Sequence, residues 1–363
     1  MSKAAELAKM GEVLTNSQIG GRRNIIINGA MQVAQRSASV TGIGASAGYF
    51  TLDRFRISPA STAGRLTMTQ TADGPSGFAN CLKLDCTTAD ASIAAGERLI
   101  LQHKIEGQDL QQLKKGTSDA EEFTVSFYVK GNASATYVVE IFDLDNTRQI
   151  SKTFSVTTDW TRVILTFPAD TTGALGDDNA ASLQIGIWLH AGSTYTSGTL
   201  NSSAFAANTD ANRAVGISSF FDSTDRTFFL TGLQMELGSV ATPFEHRSFG
   251  EELALCQRYY FQKINGDGQP VGIGTYISSG QIRTYIDFPV EMRADPSIVT
   301  SSGTAHFNIE NPSDDFDGGW VIVQINKTSA VPYATGSVSG TTSYSGIIRS
   351  KSADSRLAFN SEL

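Results

Sequence analysis

The segment Phe123-Thr-Val-Ser-Phe-Tyr-Val-Lys130 alternates apolar and polar side chains along its whole length. In an extended strand, successive side chains point to opposite faces, so the odd-numbered residues face one way and the even-numbered residues the other. The odd-numbered set is Phe, Val, Phe and Val, whereas Thr, Ser, Tyr and Lys make up the even-numbered set. The alternation therefore predicts a β-strand with one buried face.

The same pattern continues towards the C terminus. The turn residues Lys130–Ala135 lead into the alternating segment Tyr137–Phe142, and their composition predicts a hairpin. Further strands are predicted at Trp160–Phe167 and at Leu183–His190, where branched apolar residues alternate with Gln, Gly, Trp and His. Many short strands separated by turns favour an antiparallel β-sandwich of two sheets.

The length and composition of the chain limit the class of protein. At 363 residues, the chain exceeds what one hydrophobic core usually serves, which favours two domains and a short arm. A formal net charge of -8 argues against nucleic acid as a partner, because phosphates repel an acidic surface. The chain lacks an apolar run of membrane-spanning length, and residues 1–14 lack the features of a signal peptide. Synthesis in a cytoplasm, without membrane insertion, is therefore expected.

Two segments have the residue spacing of helices. In Ser2–Leu14 the apolar residues recur every three or four positions, and a second helix is predicted from Gly250 to Gln262. The Gly-rich passage Thr41–Gly48 has the composition of a flexible connection. The fold class predicted is mainly β. It comprises an N-terminal attachment arm of a short helix plus an extended segment (1–47), a β-sandwich (48–248) and a smaller C-terminal β domain (249–363).

Three stretches resemble parts of one family of virion proteins. Phe229-Leu-Thr-Gly-Leu-Gln-Met-Glu-Leu-Gly-Ser-Val-Ala-Thr-Pro-Phe-Glu-His-Arg247 resembles the closing strand of the jelly-roll modules in bacteriophage tail-fibre and other virion surface proteins. Arg23–Arg36, followed by Tyr49–Phe55, is similar to the opening of the same modules, and Glu251–Tyr260 to the junction before a tail-fibre C-terminal domain. The resemblance implies a jelly roll like that of carbohydrate-binding modules, a homotrimer, and a place on a phage particle.

The family includes modules that bind carbohydrate on one face of a sheet, and the alternation supplies candidates for such a face. If Phe127, Ile141 and Ile187 face the core, the residues of opposite parity face outwards. Aromatic planes interleaved with hydrogen-bonding groups suit a sugar, which offers an apolar C–H face and a rim of hydroxyls. Packing of these aromatics against a loop or a neighbouring subunit is the alternative. The predicted glycan face consists of Tyr128, Glu140, Trp188 and His190, with Lys130, Phe142, Gln234 and Glu236 beside them.

The N-terminal arm carries the residues predicted to attach the protein to its particle. A helix of about thirteen residues is marginal alone, so its apolar side is expected to contact another surface. Docking on other virion proteins, bundling with copies of the chain, and folding back on its own domain all remain open. The predicted contact residues are Leu7, Met10, Leu14, Arg22 and Arg23.

Catalytic patterns are weak. Gly44-Ala-Ser-Ala-Gly48 matches the G-x-S-x-G pattern, but that motif needs a strand before it and a helix after it. The four histidines lack the spacing of a metal-hydrolase motif. Four carboxylates could pair as acid and base for glycoside cleavage, although sequence does not give their separation: Glu140, Asp143, Asp145 and Glu236. No catalytic residue is predicted.

No cofactor and no metal ligand are predicted either. Asp143–Asn146 and Asp314–Gly318 cluster oxygen ligands without the complete calcium-loop spacing, so a structural Ca²⁺ is kept only as an alternative. Cys81, Cys86 and Cys256 fit neither a disulfide framework nor a zinc motif and are predicted to be buried thiols.

The sequence thus predicts a non-enzymatic virion structural protein, a tail fibre that attaches a phage to a host-surface glycan or protein. The first alternative is a capsid decoration or head-fibre protein that stabilises the particle. The second alternative is a glycan depolymerase.

Overall fold

The computed structural model describes residues 23–310 and 313–363, together with Lys3. The chain forms two compact units, one ending at Ser248 and the other beginning at Phe249. Apart from Lys3, the helix predicted at Ser2–Leu14 lies outside the described residues. In the described part of the chain, every helix is too short or too polar to cross a membrane.

The described residues of the first unit form thirteen strands. They are β1 (Ser39–Ile43), β2 (Gly48–Tyr49), β3 (Arg56–Ala60), β4 (Arg65–Thr71), β5 (Cys81–Thr88), β6 (Arg98–Glu106), β7 (Phe123–Gly131), β8 (Ala135–Asp143), β9 (Arg148–Val156), β10 (Thr161–Phe167), β11 (Ala181–Ala191), β12 (Ala206–Ala207) and β13 (Thr227–Leu237). The short helix α1 (Ser193–Thr196) follows β11, and single 3-10 turns lie at Gly107–Asp109, Gln111–Leu113 and Asp210–Asn212.

These strands form two antiparallel sheets packed face to face. The six-stranded sheet has the order β1-β4-β5-β13-β7-β10, and the seven-stranded sheet has the order β12-β9-β8-β11-β6-β3-β2. The inward side chains of both sheets make one core, in which Phe127 and Ile141 are 0% exposed and Ile187 is 2% exposed. The predicted mainly-β fold with a jelly-roll β-sandwich is confirmed, because the alternating apolar residues of β7, β8 and β11 meet in that core.

The predicted start of the sandwich at residue 48 is wrong. The segment from Asn24 onwards already belongs to it: Asn24 bonds the backbone of Leu233 and Met235 in β13, and Ile26 and Met31 lie in the core. Gly29 passes so close to β13 that a Cβ there would lie 2.1 Å from a backbone oxygen. The apolar side chains of this segment are buried against β13 because removal of apolar surface from water is favourable. Their separation in sequence from the alternating strands does not prevent this.

The Gly-rich passage Thr41–Gly48 is not a flexible connection. Its first residues belong to β1, which pairs with β4, and its last glycine begins β2. Gly44 has φ near +143° and lies against the backbone of Gly64, a position that only a residue without Cβ occupies easily. The passage is therefore a tight connection that carries the chain from the six-stranded sheet to the seven-stranded sheet.

The predicted hairpin between β7 and β8 is also wrong. β7 pairs with β10 and β13, whereas β8 pairs with β9 and β11, so the turn after β7 carries the chain from one sheet to the other. Turn residues predict a reversal of the chain, but they do not determine which sheet receives the next strand. The hairpin lies between β8 and β9 instead, with Thr147 at positive φ in its turn.

The second unit is a smaller β domain. It contains the helix α2 (Phe249–Gln257) and strands β14 (Tyr260–Asn265), β15 (Pro270–Ser278), β16 (Gln281–Thr284), β17 (Ile286–Asp287), β18 (Ser297–Thr300), β19 (Phe307–Ile309), β20 (Asp314–Phe316), β21 (Val321–Ile325), β22 (Ser329–Ala334), β23 (Ser345–Ser350) and β24 (Arg356–Asn360). One sheet has the order β14-β24-β18, and the other has the order β17-β22-β16-β15-β23-β19-β20 with β21 paired to β22.

The helix predicted as Gly250–Gln262 is shorter than expected. It ends at Gln257, and Tyr260 begins β14 and packs as a strand residue. The helical spacing failed there because the chain pairs with the distant strand β24 from Tyr260 onwards. The three cysteines are buried thiols, which confirms that prediction.

Candidate functional site

The four residues of the predicted glycan face lie on two different sheets. Tyr128 belongs to β7 in the six-stranded sheet, whereas Glu140, Trp188 and His190 belong to β8 and β11 in the seven-stranded sheet. All four point away from the main core, as the alternation predicts. They cannot form one binding surface, because the sandwich core separates the outer faces of its two sheets.

Residues 192–219, here called the cover segment, pack over the outer face of the seven-stranded sheet. Tyr195 and Ala214 of the cover segment form a second small core with Trp188, Ile100 and Val138 of the sheet. The Trp188 ring is 5.1 Å from the Tyr195 ring, and Trp188 is 0% exposed. Trp188 is therefore a packing residue and is closed to a glycan.

Glu140 anchors the cover segment. Arg213 donates from Nε to Glu140 Oε1 at 2.7 Å and from Nη2 to Oε2 at 2.9 Å, and the Trp188 indole N–H donates to Oε2 at 3.0 Å. The guanidinium carbon of Arg213 lies 4.9 Å from the rings of both Phe142 and Trp188. The carboxylate is buried and fully engaged, so the prediction that Glu140 contacts a ligand is wrong.

His190 is buried at the edge of the same region. Its Nδ1 lies 2.8 Å from Ser219 Oγ, and its Nε2 lies 3.3 Å from Glu97 Oε2. Burial lowers the pKa of His190 from its ordinary value, although the neighbouring Glu97 acts in the opposite direction. The imidazole is closed to solvent, so its predicted role in a glycan face is wrong as well.

Gln234 and Glu236 are covered by residues 239–246, here called the closing segment. Glu236 accepts hydrogen bonds from the backbone and hydroxyl of Thr242, and Gln234 accepts one from the backbone of Glu245. Arg162 donates to the Thr242 carbonyl from β10. The polar residues of the stretch Phe229–Arg247 thus bind that stretch to its own sheet.

Tyr128 is the one predicted glycan residue that reaches the surface. It lies in an aromatic cluster, defined as Phe78, Tyr128, Phe244 and His246, on the outer side of the six-stranded sheet. Ring centroids are 5.3 Å apart for Phe78 and Tyr128, 5.0 Å for Phe78 and Phe244, and 5.1 Å for Phe78 and His246. His246 is exposed, and the other three rings are half-buried.

An irregularity in β13 makes room for the aromatic cluster. The pairing of β13 with β7 shifts register between Thr231 and Gln234, and Gly232 within the shift has φ near +64°. A Cβ on Gly232 would lie 2.8 Å from the Phe78 ring. The glycine therefore lets the loop residue Phe78 lie against Tyr128 on the sheet face.

Charged groups flank the aromatic cluster. Lys130, two residues after Tyr128 on the same face, lies over the rings of Phe229 at 4.7 Å and Trp160 at 5.3 Å. Its ammonium pairs with the exposed Asp73 at 2.7 Å. Aromatic rings with adjacent cations and carboxylates are what recognition of a polar ligand with apolar faces requires.

Sequence reasoning missed three of the four cluster residues. Phe78 and Phe244 lie in loops, where alternation assigns no face, and His246 was considered only as a metal ligand. The signal that could have identified two of them is their position in the resembling stretch Phe229–Arg247. Phe78 offered no comparable signal.

The attachment prediction is only partly within the described chain. Leu7, Met10, Leu14 and Arg22 lie outside the described residues. Arg23 is half-buried at the beginning of the segment that joins the sandwich.

The carboxylates considered for catalysis or calcium bond to protein groups. Asp143 pairs with Lys115 at 2.5 Å, and Asp145 accepts from the Gly176 backbone. In the second unit, Asp314 accepts from the hydroxyl of Tyr276, and Asp317 caps the turn at Ala305. Each of these carboxylates thus has a structural partner of its own.

The second unit has an exposed apolar stripe, defined as Tyr285, Ile273 and Ile347. Ile273 opposes Ile347 across β15 and β23. Gly274 opposes Thr284 in the antiparallel pair of β15 and β16, so the next residue, Tyr285, lies beside Ile273. Ile273 is 70% exposed and Tyr285 is 56% exposed. Adjacent exposed apolar side chains on neighbouring strands are typical of a contact surface.

The first unit is therefore a jelly-roll β-sandwich with a half-exposed aromatic cluster on one sheet. No protein-family model and no curated protein matches the sequence. Among solved structures, the enzymatically active domain of tailspike protein 4 from bacteriophage CBA120 is similar at 13% identity and a TM-score of 0.31, over 59% of this chain. The match covers only 21% of that tailspike chain.

Two other solved structures are similar at the same level. The xylan-binding CBM22-1 domain of Paenibacillus barcinonensis Xyn10C has 12% identity and a TM-score of 0.28, over 61% of this chain and 100% of that chain. A family 11 carbohydrate-binding module from Clostridium thermocellum has 9% identity and a TM-score of 0.27, over 56% of this chain and 98% of that chain. TM-scores near 0.3 are too low for a shared function to follow from them.

Proposed function

We propose that this chain is a non-enzymatic structural protein of a bacteriophage, a tail fibre that attaches the particle to a glycan on the host surface. The observation that carries the proposal is the aromatic cluster, whose half-exposed rings lie beside Lys130 and Asp73. The phage context is supported by the resemblance of Phe229–Arg247 to closing strands of virion jelly rolls.

The aromatic cluster offers both kinds of contact that a sugar needs. The rings of Phe78 and Tyr128 can pack against the C–H face of a pyranose, and Lys130 and Asp73 can bond its hydroxyls. Such a single site is weak. Association as a homotrimer places several sites on one particle and raises the overall avidity without any new contact. The exposed apolar stripe of the second unit supports association between copies of the chain.

Replacing Tyr128 by alanine is expected to weaken glycan binding about 5- to 30-fold, equivalent to roughly 1–2 kcal/mol, because one stacking plane is lost. The measurement is binding of the full chain to an array of bacterial-surface oligosaccharides, followed by titration calorimetry on the best glycan. Tyr49→Ala is the matched control, since Tyr49 is a half-buried tyrosine beside a cation, Arg36, on the other sheet. Undiminished binding by both Tyr128→Ala and Phe78→Ala would contradict the proposed site.

The position of the protein on the particle tests the rest of the proposal. Gold-labelled antibody on intact phage is expected at the tail, and mass photometry of the purified chain is expected to give a trimer. Label on the capsid shell would favour a decoration or head-fibre protein that stabilises the particle. Release of reducing ends from host polysaccharide would favour a depolymerase and contradict a non-enzymatic role.

A further inference from the structure

Three side chains with metal-binding atoms converge in the first unit, away from the aromatic cluster. Asp90 follows β5, Glu97 precedes β6, and His190 lies near the end of β11. All three are buried, and one ligand atom of each lies within 4.8 Å of the others. Asp90 and Glu97 share the connection between β5 and β6, but His190 comes from a distant strand, so no sequence spacing identifies the three as a group.

His190 is oriented by a residue outside this group. Ser219 Oγ lies 2.8 Å from Nδ1, and the other ring nitrogen, Nε2, faces Glu97 Oε2 at 3.3 Å. A metal-bound histidine usually engages an oxygen with its second ring nitrogen, which fixes the ring and its tautomer. In a tetrahedral zinc site, metal–ligand distances of about 2.0–2.1 Å place neighbouring ligand atoms about 3.3 Å apart. The 3.3 Å between His190 Nε2 and Glu97 Oε2 matches this distance between ligand atoms.

The charge of the group also favours a cation. Asp90 accepts hydrogen bonds from the hydroxyl of Thr62 and the backbone N–H of Ala63, which favour its charged form. Within the described part of the chain, neither Asp90 nor Glu97 has a Lys or Arg as an ion-pair partner. Buried carboxylates are normally paired or coordinate a metal.

We propose that Asp90, Glu97 and His190 bind a divalent transition metal of the zinc type, with Ser219 as a positioning residue. One imidazole and two carboxylates leave a fourth position for water, and an imidazole ligand favours zinc over calcium or magnesium. The bound metal joins the connection between β5 and β6 to the end of β11, next to the start of the cover segment. This role is structural and is independent of glycan binding.

The test is titration of the chelator-treated full chain with zinc chloride, followed by calorimetry and thermal unfolding. One zinc ion per chain is expected, together with a higher unfolding midpoint, because a ligand that binds only the folded state stabilises it. Cobalt(II) in place of zinc is expected to give the visible absorption of a tetrahedral site. Ser219→Ala is expected to weaken zinc binding about 10- to 100-fold, which is typical for loss of a group that orients a ligand.

Glu97→Gln keeps the shape of the side chain but removes the carboxylate, so zinc binding should be lost. Glu121→Gln is the matched control, since Glu121 is an exposed glutamate paired with Lys114 and should leave zinc binding unchanged. Absence of saturable zinc binding by the unsubstituted chain would overturn the proposal. Unchanged affinity in both Glu97→Gln and His190→Asn, or tighter binding of calcium than of zinc, would overturn it too. Circular dichroism of each variant shows whether it remains folded.

Discussion

Glu140→Ala is expected to lower the free energy of unfolding of the first unit by about 3–5 kcal/mol, the range found when one partner of a buried ion pair is removed. Glu140 is buried, and it alone accepts the bidentate bond from Arg213 and the indole N–H of Trp188. Its loss leaves a largely buried guanidinium and a buried indole N–H without that acceptor. Urea unfolding of the full chain, followed by tryptophan fluorescence, measures the effect.

Asp210→Ala provides the matched control. Asp210 also pairs with Arg213, at 3.2 Å, but its side chain is 49% exposed. Exposed ion pairs contribute roughly 0–1 kcal/mol, so this substitution is expected to have little effect. If Glu140→Ala were as mild as Asp210→Ala, the carboxylate would not anchor the cover segment, and the buried cluster around Trp188 would need another explanation.

The alternation of β7, β8 and β11 correctly predicted which side chains enter the main core, because the face of a strand is a local property of the chain. The same alternation could not predict what covers the outer face. Trp188 has the parity of an exposed residue, yet Tyr195 and Ala214 bury it, and both come from an irregular segment without alternation. The alternation therefore placed Trp188 on the correct face of the sheet, but the prediction that this face is exposed was wrong.

Contacts between distant parts of the chain account for the other failures. Asn24 lies next to β13 through bonds to residues more than two hundred positions away, and nothing near Asn24 in sequence indicates that neighbour. Phe78 reaches the aromatic cluster only because Gly232 leaves space for its ring. Binding surfaces made by loops over a sheet thus depend on packing that alternation does not encode.

Acid is expected to destabilise the first unit through His103. This side chain is buried, and its Nε2 lies 3.1 Å from the Ile27 carbonyl oxygen. Burial, reinforced by the positive charge of Arg54, lowers the pKa of His103 to about 3 from 6.5, while the Ile27 carbonyl acts in the opposite direction and Arg247 lowers it further. Below pH 6.5 the unfolded chain therefore binds a proton that the folded chain does not. Stability is lost progressively as the pH falls from about 6.5 towards 3, by about 2 kcal/mol at pH 5 from this group alone.

The measurement is urea unfolding of the full chain at neutral pH and at pH 5, compared with that of His103→Gln. Glutamine can donate to Ile27 but does not titrate, so the variant is expected to lose about 2 kcal/mol less than the unsubstituted chain on acidification. Other titrating groups, including the buried His190, remain in both proteins and cancel in the comparison. His246→Gln is the control, because His246 is exposed. On acidification this variant should lose as much stability as the unsubstituted chain. Identical acid sensitivity of all three proteins would show that His103 is protonated in the folded state, and the opening segment around Ile27 would then not enclose it.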